Sequence, residues 1–378
     1  MVDAQALFEA AAVQSDWIEA TLRDLVQIES PSDDKAAVDV AMAFVAGLAE
    51  PLGGRIKRHR QKRFGDVFEV RFGPPRSRLK PVLLLGHLDT VWPVGTLQAM
   101  PWRQRDGRFF GPGVLDMKAG VVMALAAVRA LGSMGINRPV TLLLNSDEEV
   151  GSPVSRPITE RLALGSAAVL VLEPAQGLAC KTARKGVGEY RLHVTGIAAH
   201  SGVDFERGHS AVLELARLLQ TVAGFTDLKR GITVNPGVIS GGTRSNVIAQ
   251  DAFAQVDVRI AKAGDAARVE KLFRGLRCSD PKCKLEITGG MNRPPMERKA
   301  GTIALYKHAR RLAAELGFVL EEAATGGGSD GNFTAALGVP TLDGLGAVGE
   351  GAHAAHESAV IEHLIPRTAL LAGLIASV

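Results

Sequence analysis

Histidines and carboxylates stand at a few places in this 378-residue chain where an apolar run stops. His87 and Asp89 follow Val82–Leu85, and Asp116 follows the Gly111-Pro112-Gly113 turn. Glu148 and Glu149 come just after Val140–Asn145, Glu173 ends the run 167–172, and His353 and His356 lie in GEGAHAAHES. Imidazole nitrogens and carboxylate oxygens are donors that zinc, manganese or cobalt accept. Singly, each has a bland explanation: an Asp after a turn caps a helix or sits in water, and so does a Glu-Glu pair. Four separate strand ends finishing in such groups is a stronger observation, because sites in open α/β sheets collect beyond the carboxyl ends of the strands. Covalent catalysis has less support. There is no G-x-S-x-G elbow and no cysteine in a recognisable catalytic setting, and Gly326–Gly331 follows neither a Walker nor a Rossmann pattern.

The elements that must position these residues are legible from periodicity. Helical spacing runs through 3–29 and 35–49, with Ser30-Pro31-Ser32 as stop and N-cap between them. Residues 55–72 alternate as strands about a Gly65-Asp66 turn. Buried strands are expected at 82–86, 140–145 and 167–172, with helices near 117–133 and 153–163, the alternation of a three-layer α/β domain with mostly parallel central strands. From Gly186 the texture changes to the order β-α-β-β-α-β: strands at 186–196, 231–239, 251–260 and 283–288, helices at 209–223 and 264–276. Residues 186–292 therefore read as an α+β insert of the ferredoxin-like kind. It separates a first part, 1–185, from a second, 293–378, that completes the first sheet with helices at 300–316 and 360–378 and a short strand near Pro340.

Bulk properties narrow the field. A chain this long favours two domains, and 46% hydrophobic with 22% charged residues is ordinary globular composition. No apolar run reaches the ~18 residues of a membrane span, and the N-terminus lacks the basic and apolar regions of a signal peptide. Three cysteines, Cys180, Cys278 and Cys283, form no disulfide framework and suit a reducing compartment, so a cytoplasmic protein with no membrane partner is expected. The formal charge is +4, and its visible bias is the run Arg55–Arg63 followed by Arg76, Arg78 and Lys80. A nucleic-acid surface is one reading of that run. A solvated edge strand is the preferred one, and no nucleic-acid partner is expected.

Seven segments in order, GHLDTV, GPGVLDMKAG, NSDEEVGS, LEPA, AAHSG, GGTRSNVI and GAHAAHE, resemble the M20 metallopeptidases, in particular the carboxypeptidase G2-like (glutamate carboxypeptidase) and acetylornithine-deacetylase-like branch. The resemblance runs from about residue 24 to the C-terminus. It implies a zinc-exopeptidase-like catalytic domain carrying two divalent ions, zinc with cobalt or manganese as alternatives, and an inserted lid through which homodimers form.

Transferred onto this numbering, the family pattern makes Asp116 the carboxylate shared by both metals, with His87 and Glu173 on one and Glu149 and His353 on the other. Gly351-Ala352-His353 with Glu357 four residues on matches the family frame, which favours His353 over His356. Asp89 would hold the second imidazole nitrogen of His87. Glu148 would be the general base and acid of amide hydrolysis without a covalent intermediate. On the insert, His200 would stabilise the oxyanion across a dimer and Asn246 would contact substrate. Arg293 would grip a substrate carboxylate, with Arg259 a weaker companion and Gly328 in a loop lining the cleft. The substrate class is a small peptide or N-acyl amino acid. Release of a C-terminal amino acid, glutamate among the candidates, is the first reading, and N-acyl-amino-acid deacylation is the alternative.

Overall fold

Val82–His87, Val140–Asn145 and Ala168–Val171 are buried along their whole length, as continuous apolar runs are when both faces of a sheet are covered. In the computed structural model, which describes residues 3–378, they form the centre of a six-stranded sheet. Its order is Arg55–His59, Val67–Phe72, Val140–Asn145, Val82–His87, Ala168–Val171, Thr341–Leu342. The last four are parallel, and the first two add an antiparallel edge. Arg55–His59 is thus an edge strand, with exposed Arg55, Lys57 and Arg58.

Alternate residues of the central strands face opposite ways. Leu84, Leu142 and Leu170 pack with the helices Ala4–Ala12, Ala119–Ser133, Ala300–Glu315 and Leu364–Ser377. Leu83, Leu85, Leu143, Val169 and Val171 pack with Ile158, Leu162 and Ala163 of the helix Arg156–Leu164. The result is a three-layer α/β unit. Its register pairs His87 with Asn145 and Leu85 with Val171, so the carboxyl ends of three parallel strands stop at one edge.

By contact the chain divides into two units. One takes the chain through Ala183, Arg298–Ala324 and Ser329–Val378; the other takes Arg184–Glu297 and Thr325–Gly328. The second unit has an antiparallel sheet in the order Thr233–Gly241, Asp251–Ile260, Gly186–Thr195, Lys284–Arg293. With helices Ala211–Ala223 and Ala266–Arg274 packed on it, this is the ferredoxin-like arrangement. Tyr190 stacks on Phe273 at 3.8 Å between centroids and anchors its core.

Several local expectations change. The stretch 3–29 is two helices, Ala4–Ala12 and Ser15–Val26, interrupted at Val13 and Gln14. Ser32 does not cap the next helix: Asp34 does, accepting from Ala37 N at 3.0 Å. The last strand of the second unit runs on to Arg293, through Gly289 and Gly290, whose φ values of 90° and 147° suit glycine, with a register irregularity between Met291 and Arg293. The glycine-rich turn after Thr325 opens directly into a short helix, Gly331–Ala336. A small sheet of Arg103–Arg105, Arg108–Phe110, Gly349–Glu350 and Ser358–Val360 has strands too short for periodicity to reveal.

Gly120 lets its helix come close to the end of a central strand, since a Cβ there would lie 2.0 Å from the carbonyl oxygen of Leu172. In an exposed helix Gly→Ala stabilises by about 1 kcal/mol. Here Gly120→Ala is expected to reverse that sign and destabilise by about 1–3 kcal/mol, the usual cost of overpacking, measured by urea unfolding. A variant as stable as the parent would show that this approach is not tight.

Candidate metal centre

His87 is the last residue of its strand and is buried. Its Nδ1 lies 2.9 Å from the main-chain oxygen of Asp89. Donation to that carbonyl leaves Nε2 as a lone-pair acceptor. Nε2 faces Asp116 Oδ1 at 3.3 Å and Glu173 Oε1 at 3.7 Å. Asp116 turns its other oxygen, Oδ2, toward His353 Nε2 at 3.5 Å, and His353 Nε2 is 3.2 Å from Glu149 Oε1. One carboxylate therefore spans two imidazoles. Asp116 Oδ1 is buried with no properly directed hydrogen-bond donor among the described residues.

The charges respond to this crowding. Burial opposes ionisation of Asp116, but the imidazoles of His353 and His87 overcome it and hold the carboxyl well below its usual range. Burial pushes Glu149 up to about 7. His353, half exposed, is pushed up to about 10 by Asp116 and Glu149. Burial disfavours the charged form of His87, yet Asp116 and Asp89 raise it well above the ordinary imidazole value. The shifts have two causes: burial raises Glu149, while pairing of opposite charges raises both imidazoles and lowers Asp116.

Two groups satisfy the donor set for a cation: His87, Asp116 and Glu149, and His87, Glu148 and Glu173, each with ligand atoms within 4.8 Å of one another. Imidazole with two carboxylates suits zinc, manganese or cobalt. Proximity alone does not separate Glu148 from Glu149. His353 joins the cluster from a loop where its φ is 62°, a left-handed conformation that costs a non-glycine residue energy. His356 is exposed at the other end of that loop.

Asp89 meets His87 Nδ1 with its carbonyl at 2.9 Å and its carboxylate Oδ1 at 3.5 Å. The carboxylate also accepts from Glu148 N at 3.2 Å, Glu149 N at 3.1 Å and Ser32 Oγ at 2.7 Å. Asp89 thus clamps the Glu-Glu loop. Asp147 holds that loop from its own side, accepting from Val154 N at 2.7 Å, and burial pushes its carboxyl up to about 6.

Glu357 is the site residue whose task the sequence left unstated. Buried, it accepts from Trp92 Nε1 at 2.8 Å, Gly113 N at 2.9 Å, Leu115 N at 2.9 Å and Asp116 N at 3.0 Å. It fixes the turn that presents Asp116.

The remaining expected residues lie in the second unit as two clusters. His200 is exposed, and its Nδ1 accepts from Gly202 N at 3.1 Å, which makes Nε2 the protonated nitrogen. Exposed Asn246 sits beside it, its carbonyl accepting from Ser201 N at 3.1 Å. Elsewhere, Arg293 is buried, and a Cβ on Gly328 would come 3.0 Å from Arg293 Cδ. Arg259 is paired with Asp257 at 2.8 Å and reaches Gly326 O at 3.4 Å. Arg184 donates to Gly327 O and Gly328 O at 3.3 and 3.0 Å.

Comparison with known proteins gives this geometry a lineage. The profile of peptidase family M20/M25/M40 matches residues 83–377. The chain belongs to that family. It is therefore a hydrolytic enzyme of the metallopeptidase type. It is 29% identical over 374 residues to carboxypeptidase G2 of Pseudomonas sp. (strain RS-16), covering 97% of this chain and 90% of that one. It is 28% identical to acetylornithine deacetylase of Myxococcus xanthus, over 69% of this chain and 71% of that protein. The fold is shared with an M20 family metallo-carboxypeptidase, Sso-CP2 of Sulfolobus solfataricus, at a TM-score of 0.77 and 17% identity, covering 95% and 98% of the two chains. Aminopeptidase PepT of Bacillus cereus also shares it, at a TM-score of 0.79 and 20% identity, covering 96% and 98%. Among the described residues, no helix is long and apolar enough to cross a membrane.

The Glu357 contacts generate an expectation. In Glu357→Gln the amide nitrogen must face main-chain N–H donors, so the variant should lose about 1–3 kcal/mol of stability and bind divalent ions about 10–100-fold more weakly. Unfolding curves and zinc titration by calorimetry measure both. Unchanged zinc affinity would mean that Asp116 keeps its place without this clamp.

Proposed function

We propose that the chain is a two-metal carboxypeptidase that releases a C-terminal amino acid from a peptidyl or N-acyl substrate, with glutamate the first residue to test. The observation that carries the reading is Asp116, whose two oxygens face His87 and His353 at 3.3 and 3.5 Å with no donor directed at the buried one. In this reading His87 and Glu173 complete one ion site, Glu149 and His353 the other, and zinc is the expected metal. Ions held there lower the pKa of water and polarise the scissile carbonyl.

The chain's own residues supply the proton transfers and the grip. Glu149 is turned toward His353, and its neighbour Glu148, close to His87 and Glu173, would take the proton of the attacking water and return it to the leaving nitrogen. Asp89 holds both glutamates by their main-chain N–H groups. His200, with Nε2 protonated and exposed, is a donor suited to an oxyanion supplied by a partner subunit in a homodimer. Arg293 presents a guanidinium that matches a substrate carboxylate, and Asn246 adds a polar contact. A cytoplasmic location fits three cysteines that are all free. The likeness to acetylornithine deacetylase of Myxococcus xanthus makes small N-acyl amino acids the second substrate class. A screen of dipeptides and N-acyl amino acids, with zinc, manganese or cobalt supplied, decides between them: ranking by the amino-acid part supports the carboxypeptidase, ranking by the acyl part the deacylase.

Glu148→Gln is expected to take up ions as the parent does while kcat falls on the order of 10²–10⁴-fold. A variant with near-normal turnover would remove Glu148 from proton transfer. His200→Ala should lose activity with its metal content intact, and mixing it with Glu148→Gln should restore part of the rate, because heterodimers would contain one complete site. Verified heterodimers with no regained activity would show that each subunit works alone.

A further inference from the structure

The same parallel strands that end at the metal centre begin at a cavity of about 500 Å³. Pro81 and Pro139, immediately before two of those strands, line it, and so do Gly165 and Ser166 before a third. A six-residue strand spans roughly 20 Å, which separates this cavity from the cluster around His87.

Its lining is cationic. Arg55, Arg71 and Arg161 reach it, and none of the residues lining it is acidic. The carboxylate paired with two of these arginines, Glu69, is wholly buried and committed, with His59 Nε2 at 2.9 Å, Arg71 at 2.6 Å and Arg161 at 3.9 Å. Burial opposes its ionisation, but His59 and Arg71 hold its pKa below the ordinary value. Glu69 therefore serves as a charged anchor that orients two guanidinium groups. Arg55 is oriented separately, through Nη1 to Gly73 O at 3.0 Å. The loop over the cavity adds exposed Arg76, Arg78 and Lys80.

An edge strand that repels other strands needs basic side chains pointing into water. It does not need arginines from two strands and a helix turned into one cavity. Guanidinium forks match phosphate oxygens in shape and charge, and the volume lies within the range of small-molecule sites. Apolar walls complete the site: Leu79 is 55% exposed, beside Pro74 and Pro75.

We propose that this cavity is a second ligand site, distinct from the metal centre, that binds a mononucleotide-sized organic phosphate, its phosphates on Arg55, Arg71 and Arg161 and its ring against Leu79 and the prolines. Calorimetric titration of the metal-loaded, full-length protein with ADP, pyrophosphate and adenosine tests it. ADP should bind at one site per chain, more weakly as salt rises, with pyrophosphate at least several-fold weaker and adenosine without detectable heat. Arg55→Gln combined with Arg161→Gln should weaken ADP binding tenfold or more and leave amide hydrolysis unchanged. If the pair does not fold, Arg161→Gln alone, at a side chain 56% exposed, makes the same comparison. The proposal is overturned by no ADP binding at millimolar concentration, by equal binding in the variants, which would place ADP at the metals, or by pyrophosphate binding as tightly as ADP. Tight binding of single-stranded RNA without saturable ADP binding would also overturn it, and would make the patch a nucleic-acid surface.

Discussion

Acceptors face acceptors at the heart of the first unit, and the protein must hold them there against their repulsion. Asp116, Glu149 and Glu173 converge on a His87 nitrogen whose lone pair is turned inward by the bond at Nδ1. In a buried setting such an arrangement persists only if positive charge enters it. Protons can supply that charge, as the raised values of His353 and Glu149 indicate. Divalent cations supply more of it and fix the geometry, which is why assembling the site and binding ions are coupled.

Rigid support follows from that constraint. Asp89 and Glu357 use carboxylates to gather main-chain N–H groups, the first from the Glu148-Glu149 turn and the second from the Gly113–Asp116 turn. Charge-assisted bonds of this kind are about twice as strong as neutral ones. A neutral side chain of similar size would hold the loops more weakly, and both anions also deepen the negative potential that attracts cations. Behind them Gly120 lets a helix reach the Leu172 carbonyl, just before Glu173. The candidate ligands come from a strand end, His87, and from separate turns and loops, and the turns bearing Asp116 and Glu149 are each tied to a distant carboxylate.

What the sequence discloses here is what local periodicity and strand ends can carry. Val82–His87 and Val140–Asn145 read as buried strands because they are unbroken apolar runs, and the alternation in Gly186–Thr195 marks the second sheet. His87, Glu149 and Glu173 are visible because each ends or follows an apolar run, and Asp116 because it follows a Gly-Pro-Gly turn. Contacts between distant residues leave no such trace. Ser32 reaches Asp89, 57 residues away, and Glu357 reaches Leu115, 242 residues away. Nothing near Ser32 distinguishes a hydroxyl bonded to Asp89 from one that caps a helix. The three-residue strands beside the His353 loop are likewise too short for a period, and they owe their existence to pairing.

The glycines at 326–328 show how a residue can be singled out for one reason and matter for another. Read as sequence, Gly328 belongs to a loop that touches substrate. In the folded chain a Cβ at that position would meet Val187 Cγ2 at 2.8 Å and Arg293 Cδ at 3.0 Å. The space left by the missing side chain is occupied by the stem of Arg293. The carbonyls of Gly327 and Gly328 accept from Arg184 and that of Gly326 from Arg259, so two further guanidinium groups are tied to backbone dipoles. Arg293 is buried and reaches Asn292 Oδ1 at 3.1 Å, and confinement of its stem limits the directions its fork can take. A fork restricted before a carboxylate arrives loses less entropy on binding it. The lack of a side chain at Gly328 is a packing requirement set by Val187 and the stem of Arg293.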